Sequence, residues 1–198
     1  MMTDADVLNE FEAAEAILRG HFILSSGLHS DTYLQCARVL MNPARANRLC
    51  KALAAKVEAA LAGDRIDLVV APAMGGVVVG YEMGRQLGLD TIFCEREEGE
   101  FRLRRGFCIE PGQRVLMVED VVTTGKSSLE AVKCVEAAGG IVVAEASLID
   151  RSGVESKKMP FPLISLLALE VKTFQPTAIP AELAGIEAIK PGSRFLKK

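Results

Sequence analysis

The segment Val115-Leu116-Met117-Val118-Glu119-Asp120-Val121-Val122-Thr123-Thr124-Gly125-Lys126-Ser127-Ser128 concentrates the side chains best suited to chemistry. Its four leading apolar residues predict a short buried strand, with Glu119 and Asp120 at its end. Neighbouring carboxylates are costly to bury, because like charges and desolvation both disfavour the ionised forms. An exposed strand end would hold them at no cost; a ligand that accepts them would give them a role. Thr123-Thr124-Gly125-Lys126-Ser127 then combines hydroxyls, a permissive glycine and the free amides of a helix N-terminus. Those groups can serve as an ordinary helix cap, or converge on an anion. A nucleoside-triphosphate loop is excluded, since that motif needs a glycine where Asp120 stands. Acids followed closely by an anion cradle suit a sugar phosphate. The carboxylates can accept hydrogen bonds from vicinal hydroxyls while the loop holds the phosphate.

Such a loop needs a sheet to carry it, and the flanking sequence supplies one. Short apolar runs at Asp67–Ala71, Thr91–Cys94, Val115–Val118, Ile141–Ile149 and Leu163–Leu169 alternate with helical patterns over 75–88 and 125–138. That alternation predicts an α/β fold with a parallel sheet covered on both faces, whose ligands bind beyond the carboxyl ends of the strands. Upstream, Thr3 and Asp6 form a capping box for a helix whose apolar spacing (Val7, Leu8, Phe11, Ala14, Ile17, Leu18) runs until Gly20. His21–Leu24 and Thr32–Gln35 predict strands around a Ser25-Ser26-Gly27 turn. Asn42-Pro43 opens a helix that reaches about Ala62. The stretch from Gln175 to Lys198, with three prolines, is expected to wrap the surface.

Composition narrows the classes. The chain has 198 residues, 49% of them apolar, and a net charge of −3. One compact domain is expected, with no global attraction for nucleic acid or an acidic membrane. Five scattered cysteines and two histidines give no zinc spacing and suit reduced thiols in a cytoplasm. The acidic N-terminus does not resemble a secretory signal, and the longest uncharged run, Leu68 to Tyr81, is too short to span a bilayer.

The segment 115–127 resembles the phosphoribosyl pyrophosphate (PRPP) signature of type I phosphoribosyltransferases: an apolar run, two acids, two apolar residues, then Thr-Thr-Gly-x-Ser. The stretch from His21 to Gln35 is similar to the N-terminal hood of the orotate phosphoribosyltransferases. Ala71-Pro72-Ala73-Met74-Gly75-Gly76 resembles their pyrophosphate loop, and Asp150-Arg151 their carboxylate-binding arginine. The resemblance covers roughly residues 7–170, and is strongest to a bacterial subgroup that ends in Pro-Gly-Ser-Arg, here Pro191 to Arg194.

The resemblance implies a type I phosphoribosyltransferase-like parallel sheet flanked by helices, with a small hood at residues 1–40, a core at 41–170 and a tail at 171–198. It implies transfer of the 5-phosphoribosyl group from PRPP to orotate, with Mg²⁺ carried by PRPP and water rather than by a protein metal site. Glu119 and Asp120 would be the catalytic carboxylates at the ribose. Arg96, Val121, Val122, Thr123, Thr124, Gly125, Lys126 and Ser127 would complete the PRPP site, with Arg151, Thr123 and Ser26 at orotate. The charged run 95–105 would be a lid that closes over the neighbouring subunit of a homodimer. Taken alone, that run reads as a solvated hairpin or mobile loop. There are departures as well. No lysine lies between Lys56 and Lys126, Met74 stands where the pyrophosphate loop often carries one, and the hood lysine is replaced near Ser25. Arg102, Arg104 and Arg105 are the candidates to substitute for the lid lysines. Transfer to another base such as a purine is a second reading; a PRPP-sensing regulator that binds nucleic acid is a third, which lacks a basic face or an added module.

Overall fold

The computed structural model describes residues 2–24, 26–153 and 159–191. Ser25 of the hood turn, and Gly192, Ser193 and Arg194 of the C-terminal motif, lie outside the described residues. The core is a six-stranded sheet in the order β5-β4-β3-β6-β7-β8. Its strands are β3 (Leu68–Pro72), β4 (Thr91–Glu97), β5 (Glu100–Leu103), β6 (Arg114–Val122), β7 (Ile141–Asp150) and β8 (Leu163–Ala168). All pair in parallel except β5, which folds back on β4 as a hairpin.

Side chains of β6 alternate between the two faces of the sheet, as the pleat requires. Leu116 and Val118 join one apolar cluster with Leu49, Leu53 and Val57 of α3 (Pro43–Leu61) and Val79 and Met83 of α4 (Gly75–Leu87). Val115 and Met117 join the other, with Ala131, Val132 and Val135 of α5 (Lys126–Ala137). Both faces are therefore dry, which is why these strands read as continuous apolar runs. Leu49, Leu53 and Leu116 are fully buried, so truncating any one to alanine should cost about 2–5 kcal/mol.

Local signals set the helix ends. Asn42 accepts a hydrogen bond from Arg45 N–H at the start of α3, and the left-handed Gly88 closes α4. In α1 (Asp4–Ala13) the Thr3–Asp6 capping box forms as expected, but the helix stops well short of Gly20. Glu15 turns the chain at φ 48°, and Ile17 and Leu18 enter strand β1 (Ile17–Ile23) opposite Leu34 and Tyr33 of β2 (His29–Leu34). Strand pairing overrides the helical spacing there. A short helix, α2 (Cys36–Leu40), also went unread in the sequence.

The hood is a second, antiparallel sheet in the order β1-β2-β9, and β9 (Thr173–Phe174) comes from the tail. Ile189 adds a bridge to Phe22. His21 is buried in β1: its Nδ1 bonds the Ile186 carbonyl at 2.9 Å and its Nε2 meets His29 Nδ1 at 2.5 Å. Both histidines thus tie the hood together, and the tail is its third strand. A four-residue helix, α6 (Ala181–Ala184), lies between β9 and that bridge.

Candidate active site

Strand β6 runs farther than its apolar core predicts. Glu119 and Asp120 lie inside it, and the ladder with β7 continues through Glu119–Ser147 to Val122–Asp150. The acids therefore sit on fixed backbone at the carboxyl end of the sheet, not in a loose turn. Glu119 is partly buried, and burial, then Asp120, then Glu145 push its carboxyl well above the usual range. Burial likewise raises Asp120, opposed by the Val121 amide that donates to its Oδ1 at 2.8 Å. Two desolvated carboxyls with no ion-pair partner among the described residues favour a partner that donates hydrogen bonds or brings positive charge.

Beyond β6, Gly125 stands at φ 71° as the residue before α5, and a Cβ there would lie 2.5 Å from Met159 Cε. The left-handed φ is what calls for glycine, since the Met159 methyl ends a flexible side chain that can yield. The α5 chain then starts with Lys126, whose amide approaches Thr124 Oγ at 3.4 Å. First-turn amides of a helix have no acceptor within it, so this end presents donors and a positive dipole. A cavity of ≈ 260 Å³ lies against it, lined by the whole segment Glu119 to Ser128 and by Pro72, Gly75 and Arg96. Val122 is buried, so it offers this cavity its backbone.

Arg96 projects from β4, and its guanidinium stacks on Phe101 at 4.2 Å. It donates to Glu130 Oε2 at 2.5 Å and to the Gly99 carbonyl at 2.8 Å. The other hairpin arginines do not line the cavity; Arg102, Arg104 and Arg105 pair with Glu100 (3.1 Å), Glu97 (3.4 Å) and Glu95 (2.8 Å). A wider groove of ≈ 650 Å³ lies between this hairpin and α5, but it lacks the acids and the anion cradle.

Two further predicted residues lie toward the hood. The Arg151 amide donates to the Val122 carbonyl at 2.8 Å, which anchors the residue to the end of β6. Burial lowers its affinity for a proton, opposed by Cys36 and Tyr33, and its buried Nε has no hydrogen-bond partner among the described residues. An unpaired guanidinium N–H of this kind is a donor in want of an anion. Tyr33 feels both Asp120 and Arg151, and Cys36 approaches the Asp120 carbonyl at 3.9 Å. Ser26 is exposed in the hood turn and is not brought into the cavity.

The sequence reading missed the tightness of the pyrophosphate-like loop. A Cβ on Gly75 would stand 3.0 Å from Asp120 Oδ1, and one on Gly76 2.9 Å from the Val118 carbonyl. The glycine pair lets α4 press its N-terminus onto the acids, and that adjacency was the available signal. Among the described residues, no group of three or more His, Cys, Asp or Glu could hold a metal ion, and no helix is long and apolar enough to cross a membrane.

The phosphoribosyl transferase domain profile matches residues 37–162. An orotate phosphoribosyltransferase of Rhizorhabdus wittichii is 61% identical over 98% of this chain and 97% of its own length. One from Caulobacter vibrioides is 52% identical over 99% and 100%. Among solved structures, the orotate phosphoribosyltransferase of Mycobacterium tuberculosis with inorganic phosphate has a TM-score of 0.61 at 25% identity, covering 82% of this chain and 96% of that one. An adenine phosphoribosyltransferase of Thermoanaerobacter pseudethanolicus has a TM-score of 0.57 at 25% identity over 70% and 88%, so the backbone alone does not choose the base. Full-length identity does, and the chain belongs to the orotate phosphoribosyltransferases of the phosphoribosyltransferase family.

Proposed function

We propose that the chain transfers the 5-phosphoribosyl group of PRPP to orotate, giving orotidine 5′-phosphate and pyrophosphate for UMP synthesis. The observation that carries this reading is a single cavity lined by the acid pair, the helix N-terminus and Arg96. The amides and hydroxyls of Thr123, Thr124, Gly125, Lys126 and Ser127 hold the 5-phosphate. Glu119 and Asp120 accept hydrogen bonds from the ribose hydroxyls and place negative charge beside the ring as it becomes oxocarbenium-like. A bond forms from the orotate ring nitrogen to the anomeric carbon while the bond to pyrophosphate breaks, and the nitrogen's proton passes to the departing pyrophosphate. Arg96 faces the departing pyrophosphate once it leaves Glu130. Arg151 supplies a planar fork to the orotate carboxylate, with Thr123 at the base and Ser26 approaching from the hood. Mg²⁺ bound with PRPP would supply positive charge to offset that of the leaving group; the acid-rich cavity suits that cation, and no side chain is assigned as its ligand.

In this reading residues 1–40 and the tail from 171 cover the base, and the core 41–170 holds PRPP. The protein works in the cytoplasm, in keeping with five free cysteines. It is a homodimer whose hairpin 95–105 reaches the partner's site. Purified protein with PRPP and Mg²⁺ should consume orotate, followed by absorbance, and leave hypoxanthine and adenine unchanged. Turnover of a purine but not orotate overturns the base, and PRPP binding without any transfer favours a regulator. A hairpin-arginine variant mixed with Asp120→Asn should recover partial activity in verified hybrid dimers; no recovery places the hairpin in its own subunit's site.

A further inference from the structure

Among the described residues, two cationic side chains line the cavity: Arg96 from β4 and Lys126 from the start of α5. Both meet one carboxylate. Glu130, one turn further along α5, accepts from Arg96 Nη2 on Oε2 at 2.5 Å, and its Oε1 lies 3.9 Å from Lys126 Nζ. Its two oxygens are thus divided between the two cations. The other terminal nitrogen of Arg96, Nη1, donates to the Gly99 carbonyl at 2.8 Å, and Phe101 covers the guanidinium face at 4.2 Å.

Glu130 does not itself line the cavity. It lines the wider groove between the hairpin and α5, together with Gly99. Both acceptors therefore draw the Arg96 fork toward the groove. A phosphate recognised bidentately needs two N–H donors from that same fork. With Nη1 on Gly99 and Nη2 on Glu130, the fork is committed to acceptors that the protein supplies. Gly99 belongs to the same hairpin as Arg96, whereas Glu130 belongs to the helix that carries the anion cradle. Lys126 is mostly exposed and at the limit of ion-pair distance, so Arg96 is the cation that Glu130 restrains most.

We propose that Glu130 is a positioning residue, an internal counter-anion that engages Arg96 and Lys126 and that a diphosphate entering the cavity must displace from Arg96. The inference rests on the reading of Arg96 as the pyrophosphate-facing arginine. Diphosphate affinity is then the difference between what the cations gain from the ligand and what they give up at Glu130. A diphosphate carries more charge than a carboxylate and wins the exchange, but by less than it would against water. The carboxylate thereby limits how tightly the product pyrophosphate is retained. The hydrogen bond from Arg96 holds the Glu130 carboxyl below its usual range, so this competitor is charged at neutral pH. Water reaches about a third of each partner, and ion pairs of that kind are modest, so the competition should cost the ligand about two- to fivefold in affinity.

The test is the affinity of inorganic pyrophosphate, by calorimetry in Mg²⁺ buffer, for the full protein and for Glu130→Gln, which keeps the shape and loses the charge. Affinity should rise about two- to fivefold. Glu130 lies off the buried face of α5, so the variant keeps its fold, and Glu130→Ala should reproduce the gain. Removing a negative charge near an anion site also raises affinity at a distance, so the comparison is repeated in an Arg96→Gln background. There the gain should shrink, because the contact it relieves is already gone. An equal gain in that background, or no gain in the native one, overturns the proposal. So does a loss of affinity, which would mean that Glu130 holds Arg96 ready for the ligand. Arg96→Gln alone separates this inference from the reading beneath it. Undiminished pyrophosphate affinity there refutes the role of Arg96 and the inference with it, whereas a drop there with no effect of Glu130→Gln refutes the counter-anion alone.

Discussion

Replacing Gly76 by alanine adds one methyl group at the point where α4 meets the acid pair. That Cβ would stand 2.9 Å from the Val118 carbonyl, 3.2 Å from Glu119 Oε2 and 3.3 Å from Ala71 Cβ. Helix propensity alone favours alanine by about 1 kcal/mol, because Gly76 lies in the first turn of α4. Against this stands overpacking, which costs about 1–3 kcal/mol where the neighbour cannot yield. The Val118 carbonyl is sheet backbone and cannot yield; the Glu119 carboxyl is the end of a flexible side chain and can. The balance is a loss of about 0–2 kcal/mol, a fall in Tm of no more than about 8 °C for a chain this long. The larger effect falls on function. If misplacing a reacting group by about 1 Å costs about a hundredfold, a shift of a few tenths of an ångström at Glu119 costs roughly threefold to tenfold. Steady-state kinetics should show this loss in kcat/KM for PRPP, with KM for orotate unchanged, and calorimetry the drop in Tm. Gly80→Ala is the control, since its Cβ would meet Ala71 Cβ at 2.7 Å, away from the acids; it should lower Tm without a selective PRPP defect. A Gly76→Ala protein with raised Tm and native kinetics refutes the close approach of α4 to β6.

Asp120→Asn keeps an oxygen for the Val121 amide, so the fold should survive, with Tm unchanged or higher because burial disfavours the native charge. Turnover should fall about 100- to 1000-fold, and unchanged turnover contradicts the ribose assignment. Arg151→Ala should raise KM for orotate about 10- to 100-fold, the size of a lost charge-assisted pair, with PRPP affinity intact. A fall in PRPP affinity instead moves Arg151 to the other substrate. Cys108 is the exposed thiol, while Cys50 and Cys94 are buried and pushed up to about 12. Limited iodoacetamide should therefore modify Cys108 first by mass spectrometry; early loss of Cys94 contradicts its packing.

The strand–loop–helix from Val115 to Ser128 was legible because its information is local. Apolar residues, a glycine that must be left-handed and a helix start occur in one continuous stretch. The ends of α3 and α4 were legible for the same reason. The continuation of β6 through Val122 was not, because it depends on a ladder with residues some thirty positions later. The early end of α1 depends on β2, and the third hood strand on the tail. Arg96 was assigned from its place after β4, but its pairing with Glu130 spans 34 positions and left no trace in the pattern. Glu145 stood unnoticed within an apolar run, since a sequence shows a charge but not its burial.

The hood sheet carries a consequence for how the protein is made. His21 and the Ile186 carbonyl that holds it are 165 positions apart, so that contact closes nearly the whole chain into a loop. Closing such a loop is entropically unfavourable until the intervening residues have collapsed. During synthesis the phosphate cradle can form while β9 and Ile189 are still inside the ribosome, leaving Tyr33 and its strand without their third neighbour. On the proposed assignment of the site, the half that would face the base is therefore the last to mature, after the cradle that would hold the sugar phosphate.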